Sequence, residues 1–412
     1  MIKTALLASL KFAIFFVATW PLFFLIFLSL NFGSVSFAEI SAFLSLGDNG
    51  LAGVDAMVVI EFALLAMALP FALALWATLE LPPFSSNPKT FGAVATLLAA
   101  ATIGFFIQVI EASPQSAMGK DSEQSSSLTN LEADGRTPQA NIILVYIESF
   151  SSDLITSSGS TTEPQSMILN SLSPTQVVQS IPANDVGGTI GGIASSLCGL
   201  RSELVNFLDE ESSNYLLEES VCLSDALYSF DYQNIFFGAA SGEFQSKSDF
   251  LKAHKFEVFE KATWMAIGAP EPFAWGQTIH DDRLLDHGRA IAQKLISSDG
   301  PFLLAGLTLD NHYPYYVPSS CEVSNEQLSK VEIAYLCSSS AVAGFIDWYR
   351  NHTNEPTLIV VQGDHPPGTD ISSKKDIFFA SSCHGDMATN PDPPKSVEDI
   401  APFIMDAAKS CR

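Results

Sequence analysis

Hydrophobic positions along this chain fall into two textures, and the change between them comes near Glu111. Before that point the apolar residues run continuously. No charged residue lies between Lys11 and Glu39, and Phe12 to Leu30 is almost wholly apolar. Phe62 to Leu79 is a second charge-free run, and Phe91 to Ile110 is a third. Each is long enough to cross the roughly 30 Å hydrocarbon core of a bilayer as a helix, so the pattern predicts three spans, at about 12–31, 57–79 and 91–110. Pro70, inside the second run, is tolerated in a membrane helix. The predicted anchor is thus 1–111. Residues 112–140, rich in Ser, Gln, Asn, Asp, Glu and Gly, read as a flexible linker.

Over 141–412 the texture becomes short apolar runs bounded by turn residues. Asn141–Ile147, Asn234–Gly238, Phe302–Thr308 and Thr357–Gly363 read as buried strands. Asp282–Ser298 and Asn325–Arg350 read as helices, with a last helix through Phe403–Ala408. Strands alternating with helices predict an α/β domain with a mostly parallel sheet covered on both faces.

Charge adds an orientation and an exclusion. The formal net charge of -25 argues against nucleic acid as a partner, because phosphates demand basic patches. Lys3 and Lys11 precede the first span, Lys89 lies between the second and third, and the loop carrying Glu39, Asp48 and Asp55 has no Lys or Arg. The positive-inside rule then places the N-terminus in the cytoplasm and everything after Glu111 outside. Ser36-Phe-Ala38 resembles a signal-peptide cleavage site, but the apolar run before it is longer than a typical signal core. Either reading exports the C-terminal domain. All six cysteines (Cys198, Cys222, Cys321, Cys337, Cys383 and Cys411) lie in that exported part, which suggests disulfides. Sequential pairing closes modest loops, although six cysteines allow fifteen pairings.

The chemistry gathers at the ends of the runs. Glu148 ends the first strand, and Asp364 and His365 end the last, where open α/β sheets bind ligands. Thr189 sits among glycines in Val186-Gly-Gly-Thr-Ile-Gly-Gly192, at a predicted helix start, and His312 lies in Asp310-Asn-His-Tyr-Pro314. Two carboxylates and an imidazole can hold a cation that turns a nearby hydroxyl into a nucleophile. Singly, each residue has an ordinary reading: Glu148 as a surface carboxylate, Thr189 as an N-cap, His312 as a hydrogen-bonded loop histidine. His254, His280, His287 and His352 read as solvated, and His384 as a candidate further ligand.

Together and in this order, the motifs resemble the alkaline phosphatase and sulfatase superfamily. Within it they are similar to the membrane-anchored branch that contains lipoteichoic acid synthases and phosphoglycerol transferases. The resemblance runs from about Asn141 to the C-terminus. It implies that Glu148, Thr189, Asp364 and His365 hold one divalent ion, with manganese expected and magnesium or zinc as alternatives. It implies that Thr189 attacks phosphatidylglycerol, that His312 contacts the phosphoryl group or moves a proton, and that phosphoglycerol passes to a glycan or glycolipid. Such proteins sit in the bacterial inner membrane, multi-pass, with the catalytic domain in the periplasm. Ala194–Leu200 and Cys222–Leu227 resemble segments of the glucan-modifying transferases of Gram-negative bacteria, and Trp275-Gly276 and Asp281–Leu285 also look familial. Cys198-Gly-Leu-Arg201 lacks the proline and the spacing of a sulfatase's modified cysteine.

One stretch departs from the pattern. After Phe236-Phe-Gly-Ala239 the synthases place an Asp, a Trp and an Arg for the glycerol phosphate, whereas here Ala240–Lys247 offers only Lys247 as a substrate-binding cation. Phosphoethanolamine transfer, or hydrolysis of the sulfatase or phosphodiesterase type, therefore stand as alternative functions. A domain that binds without catalysis is disfavoured by the retained ligand set.

Overall fold

The computed structural model describes residues 12–17, 19–20, 23–24, 62–80 and 137–412, apart from 157–158, 184–185, 187, 201–219, 243–245, 269–278, 314, 322, 324–326 and 369–370. The third expected span, half of the first, residues 57–61 of the second, the linker up to residue 136 and Trp275-Gly276 lie outside the described residues. The chain divides into two units, Met1–Gln115 and Ser116–Arg412.

In the first unit, residues 62–80 are helical: a π segment, Phe62–Ala68, runs into an α-helix, Leu69–Glu80. Pro70 sits one residue into the α segment, where it removes one backbone donor and forces the preceding turn to widen. Among the described residues, no helix is long and apolar enough to cross a membrane.

The second unit is built on a seven-stranded sheet. Its strands are β1 (Asn141–Ile147), β4 (Val177–Pro182), β5 (Gln233–Gly238), β6 (Glu257–Phe259), β7 (Phe302–Leu307), β8 (Thr357–Gly363) and β9 (Asp376–His384), in the spatial order β4-β9-β8-β1-β7-β5-β6. The short pair β2 (Leu154–Thr156) and β3 (Gly159–Thr161) stands apart. The five strands from β8 to β6 are mutually parallel, and β9 runs antiparallel between β8 and β4. The fold is the α/β architecture with a mostly parallel sheet that the strand–helix alternation predicts.

Side chains alternate across a strand, and β1 uses both faces. Ile142, Leu144 and Tyr146 join one core, which includes residues of the helices Thr189–Cys198 and Ile400–Ser410. Ile143, Val145 and Ile147 join the other, with residues of the helices Asp281–Ile296 and Lys330–His352. Every residue of β1 and β8 is buried. At about 1.5–3 kcal/mol for each large apolar side chain removed from water, these central strands anchor the sheet.

Three details correct the sequence reading. The long helix starts at Lys330 rather than Asn325, because Ser329 and Glu332 form a capping box: Ser329 Oγ accepts from the Glu332 amide, and Glu332 Oε2 accepts from the Ser329 amide at 2.7 Å. His384 is paired with Thr357, at the start of β8, and lies within 2.8 Å of the Thr353 carbonyl. A seven-residue strand, about 20 Å, therefore separates it from Asp364 at the other end, and it is not a ligand of that site. His254, expected in solvent, is buried with Nδ1 2.6 Å from Asp225 Oδ2.

Disulfides join Cys198 to Cys222, Cys321 to Cys337 and Cys383 to Cys411. The first ties the end of the helix Thr189–Cys198 to the N-cap of the helix Leu223–Tyr228. The last ties β9 to the residue that follows the C-terminal helix.

Candidate active site

Sheet register brings the two carboxylates together. Ile147 of β1 is paired with Gly363 of β8, so the next residues, Glu148 and Asp364, leave the sheet side by side at its C-terminal edge. The Asp364 amide donates to the Ile147 carbonyl at 3.2 Å. On the other side of β1, β7 delivers Thr308, whose amide bonds the Tyr146 carbonyl and whose hydroxyl accepts from the Glu148 amide. The loop that follows β7 carries Asn311, which donates to the Glu148 carbonyl, and His312. Parallel pairing thus places three separated segments at one edge.

Thr189 arrives from the helix it begins. Its N-cap is Gly188, at a φ of 107° that an L side chain rarely adopts, so Thr189 is the first helical residue and not the cap. One turn on, Gly192 lies directly against the Asp364 carbonyl, where a Cβ would have no room. These two glycines let the helix start reach the turn after β8, and Thr189 Oγ1 lies 3.5 Å from Glu148 Oε2.

Glu148 is fully buried. Its Oε1 accepts from Ser149 Oγ at 2.8 Å and lies 3.2 Å from His365 Nε2. Asp364 Oδ1 accepts from the Ser149 and His365 amides, both at 2.8 Å, while its buried Oδ2 has no hydrogen-bond partner. Ligand atoms of Glu148, Asp364 and His365 all lie within 4.8 Å of one another.

Burial and charge oppose each other here. Burial alone would raise Glu148, but the His365 charge and hydrogen bond hold it low, at about 2. Burial and the neighbouring Glu148 push Asp364 up to about 7. Burial would lower His365, yet Asp364 and Glu148 raise it to about 10. Without a cation, the site relieves its crowded carboxylates by holding protons. An orphaned carboxylate oxygen, a second carboxylate and an imidazole at this spacing fit a divalent ion. The His365 ring is aligned for it: its Nδ1 donates to the Pro366 carbonyl at 2.9 Å, which turns Nε2 toward both carboxylates.

His312 bonds the Tyr313 carbonyl through Nδ1 at 2.7 Å, and its charge is among those that lower Glu148. Lys247 is buried; burial lowers its pKa, and Glu260, Glu148 and Asp364 pull the other way. Sequence reading missed Ser149, which takes a positive φ of 51° while its amide, hydroxyl and carbonyl bond Asp364, Glu148 and Tyr335 respectively. Nothing local in the sequence marks that strain. The sequence marks Asp281 only within the familial-looking stretch Asp281–Leu285; its role emerges here, since its carboxylate accepts from the Leu309 and Asp310 amides and so steadies the loop bearing His312.

A mostly parallel sheet with an acid–acid–histidine cluster at its carboxyl edge, and a hydroxyl presented there by a helix start, defines an alkaline-phosphatase-like α/β domain. The sequence matches the Sulfatase family over residues 140–408, and the chain belongs to that family. Among curated proteins it is similar to phosphoglycerol transferase I of Xanthomonas axonopodis pv. citri (strain 306), 33% identical over 192 residues, 43% of this chain and 27% of that protein. The same-named protein of Citrobacter koseri is 28% identical over 253 residues, 55% of this chain and 31% of that one. This chain thus matches less than a third of the length of either relative. Among solved structures, the integral membrane protein lipooligosaccharide phosphoethanolamine transferase A of Neisseria meningitidis aligns with a TM-score of 0.55 at 11% identity, covering 100% of this chain and 84% of that one. The lipoteichoic acid synthase LtaP of Listeria monocytogenes aligns with a TM-score of 0.50 at 14% identity, over 69% of this chain and 78% of that one. Identities this low speak for a shared fold.

Proposed function

We propose that this chain is a phosphotransferase that moves a phosphoglycerol group from phosphatidylglycerol to a periplasmic glycan or glycolipid through a covalent intermediate on Thr189. The observation that carries the reading is the meeting of Thr189 Oγ1 with Glu148 Oε2, beside Asp364 and His365. A threonine hydroxyl is a weak nucleophile unless a base or cation stands beside it. Glu148, Asp364, His365 and Thr189 would hold one divalent ion, with manganese expected. When bound, it would lower the pKa of the hydroxyl and offset charge on the phosphoryl oxygens.

The chain's own residues do the rest. Thr189 Oγ1 loses its proton to solvent and forms the bond to phosphorus as the bond from phosphorus to the diacylglycerol oxygen breaks. Thr189 regains its own proton when it is later displaced, and the diacylglycerol oxygen leaves with a proton. His312, whose Nδ1 is committed to the Tyr313 carbonyl, presents Nε2 as the group that supplies that proton and later takes one from the acceptor hydroxyl. The acceptor oxygen then displaces Thr189 from phosphorus. The buried setting of Glu148 and Asp364 keeps these charges strong.

The reading includes a membrane anchor in 1–111, a linker over 112–140 and a periplasmic catalytic domain over 141–412. It is supported by the apolar runs and by the exposure of Leu64, Phe71, Trp76 and Leu79 around the helical stretch 62–80. A periplasm-dependent reporter fused after Arg412 should be active.

The direct test is to incubate the metal-loaded protein with phosphatidylglycerol and no acceptor. Diacylglycerol should appear, with a glycerophosphoryl adduct on the peptide that contains Thr189. Thr189→Ala should form neither while remaining folded. Full activity in Thr189→Ala would refute the covalent route. An adduct formed only from phosphatidylethanolamine would replace phosphoglycerol transfer by its nearest alternative.

A further inference from the structure

Two buried tyrosines of the helix Lys330–His352 bond opposite ends of the sheet, and the proposed reaction uses neither. The Tyr349 hydroxyl lies 3.0 Å from Thr357 Oγ1, at the start of β8. Tyr335, nearer the start of the helix, reaches the C-terminal edge, where its hydroxyl donates to the Ser149 carbonyl at 2.6 Å. Its ring stacks on Phe150, with centroids 6.0 Å apart. Tyr335 belongs to the core on the face opposite the helix that carries Thr189. The edge is therefore held from both faces, by Gly192 against the Asp364 carbonyl on one and by Tyr335 on the Ser149 carbonyl on the other.

Ser149 is where that hold acts. Its φ of 51° is one that a residue with a side chain seldom takes, and such a conformation persists only where its neighbours maintain it. In this conformation its amide donates to Asp364 Oδ1 while its carbonyl meets Tyr335, and its hydroxyl donates to Glu148 Oε1. One residue thus occupies one oxygen of each carboxylate. The oxygens left are Asp364 Oδ2, buried without a hydrogen-bond partner, and Glu148 Oε2, 3.5 Å from Thr189 Oγ1. Those are the atoms that a cation beside Thr189 needs. The next residue is fixed independently, because the Phe150 carbonyl packs against Gly363 and accepts from the Phe378 amide at 3.0 Å. Removing the tyrosine hydroxyl therefore releases Ser149 without releasing the rest of the turn.

We propose that Tyr335 is a positioning residue for the metal centre: by holding the Ser149 carbonyl it maintains the left-handed turn that leaves Glu148 Oε2 and Asp364 Oδ2 to a divalent ion. This rests on the reading that the two carboxylates hold such an ion, and it deepens that reading by naming what presets their ligand atoms.

The test titrates Mn²⁺ into the metal-free, full-length protein in detergent by calorimetry. Tyr335→Phe keeps the ring on Phe150, loses the hydroxyl, and should weaken Mn²⁺ about tenfold. Tyr349→Phe, the same change on the same helix, should leave Mn²⁺ affinity within about twofold. Glycine takes a positive φ unaided, so in a Ser149→Gly background Tyr335→Phe should weaken Mn²⁺ by less than about threefold. Thermal unfolding checks that each variant is folded. Equal losses of affinity in the two tyrosine variants, or no loss in Tyr335→Phe, would overturn the positioning role and leave the metal reading in place. An undiminished loss in the Ser149→Gly background would overturn the route through Ser149. Wild-type protein that binds no Mn²⁺, Mg²⁺ or Zn²⁺ would overturn the metal reading, and the positioning role with it.

Discussion

Gly192→Ala should damage the site through one added methyl group. Gly192 is three residues after Thr189, on the same face of the helix. A Cβ there would overlap the Asp364 carbonyl oxygen, lie 2.7 Å from its carbon and come within 3.3 Å of Val186 Cγ1. Ordinary contact begins near 3.4 Å, so relieving the carbon alone needs 3.4 − 2.7 = 0.7 Å, and the oxygen needs more. The obstruction is backbone on both sides, in a turn pinned by the Asp364 amide on Ile147, so no side chain can swing away. Overpacking of this kind costs about 1–3 kcal/mol, against about 1 kcal/mol gained by replacing a helical glycine. The helix start should shift by about 1 Å, and a displacement of that size costs on the order of 10²-fold in rate. Gly191→Ala is the internal control: it meets nothing within 4 Å, so it should raise stability by up to about 1 kcal/mol and leave the rate alone. The assay pairs thermal unfolding with adduct formation on Thr189. A Gly192→Ala protein with wild-type rate and midpoint, or a Gly191→Ala protein that is equally damaged, would refute the argument that close approach of the helix to this turn builds the site.

Metal affinity should depend on pH in two regimes, because the metal-free protein raises His365 to about 10 and Asp364 to about 7. An incoming ion displaces one proton above pH 7 and two below it, so Kd should fall about tenfold per unit above pH 7 and approach a hundredfold per unit below. A flat Kd from about pH 6 to 9, by calorimetric titration with Mn²⁺, would contradict this assignment. Replacing both Cys198 and Cys222 by Ala opens a loop of sequence separation 24 and should cost about 3–3.5 kcal/mol in a denaturant titration; an unmoved midpoint would exclude that anchoring role. Burial and the neighbouring Asp310 raise Asp281 well above its ordinary range, so Asp281→Asn mimics its protonated form and should be tolerated within about 1 kcal/mol. Asp281→Ala strands the Leu309 and Asp310 amides and Ser338 Oγ, and should cost about 2–4 kcal/mol together with the position of the His312 loop. Equal thermal midpoints for the two Asp281 variants would argue against it.

The central strands could be read locally, because a strand buried on both faces must be apolar throughout. Asn141–Ile147 and Thr357–Gly363 declare themselves, and the polar residues that end them stand out as candidates. The glycines around Thr189 also announce a close approach, though not to what. The antiparallel strands β4 and β9 escaped notice, since Val-Val-Gln-Ser-Ile-Pro and a serine-bearing run carry no unbroken apolar signal. Missing β9 sent His384 to the wrong end of the sheet, because a residue's end is set by strand direction, and direction follows from pairing. The capping box at Ser329 was legible in its spacing, whereas the positive φ of Ser149 was not. Which side chains share a site depends on register: Ile147 opposite Gly363 puts Glu148 against Asp364, and Phe237 opposite Phe259 brings Glu260 to the same edge. Composition and periodicity act over a few residues and determined the strands and the chemistry at their ends. Pairing between segments more than two hundred residues apart decided which of those ends meet, because only the packed sheet has an edge for them to share.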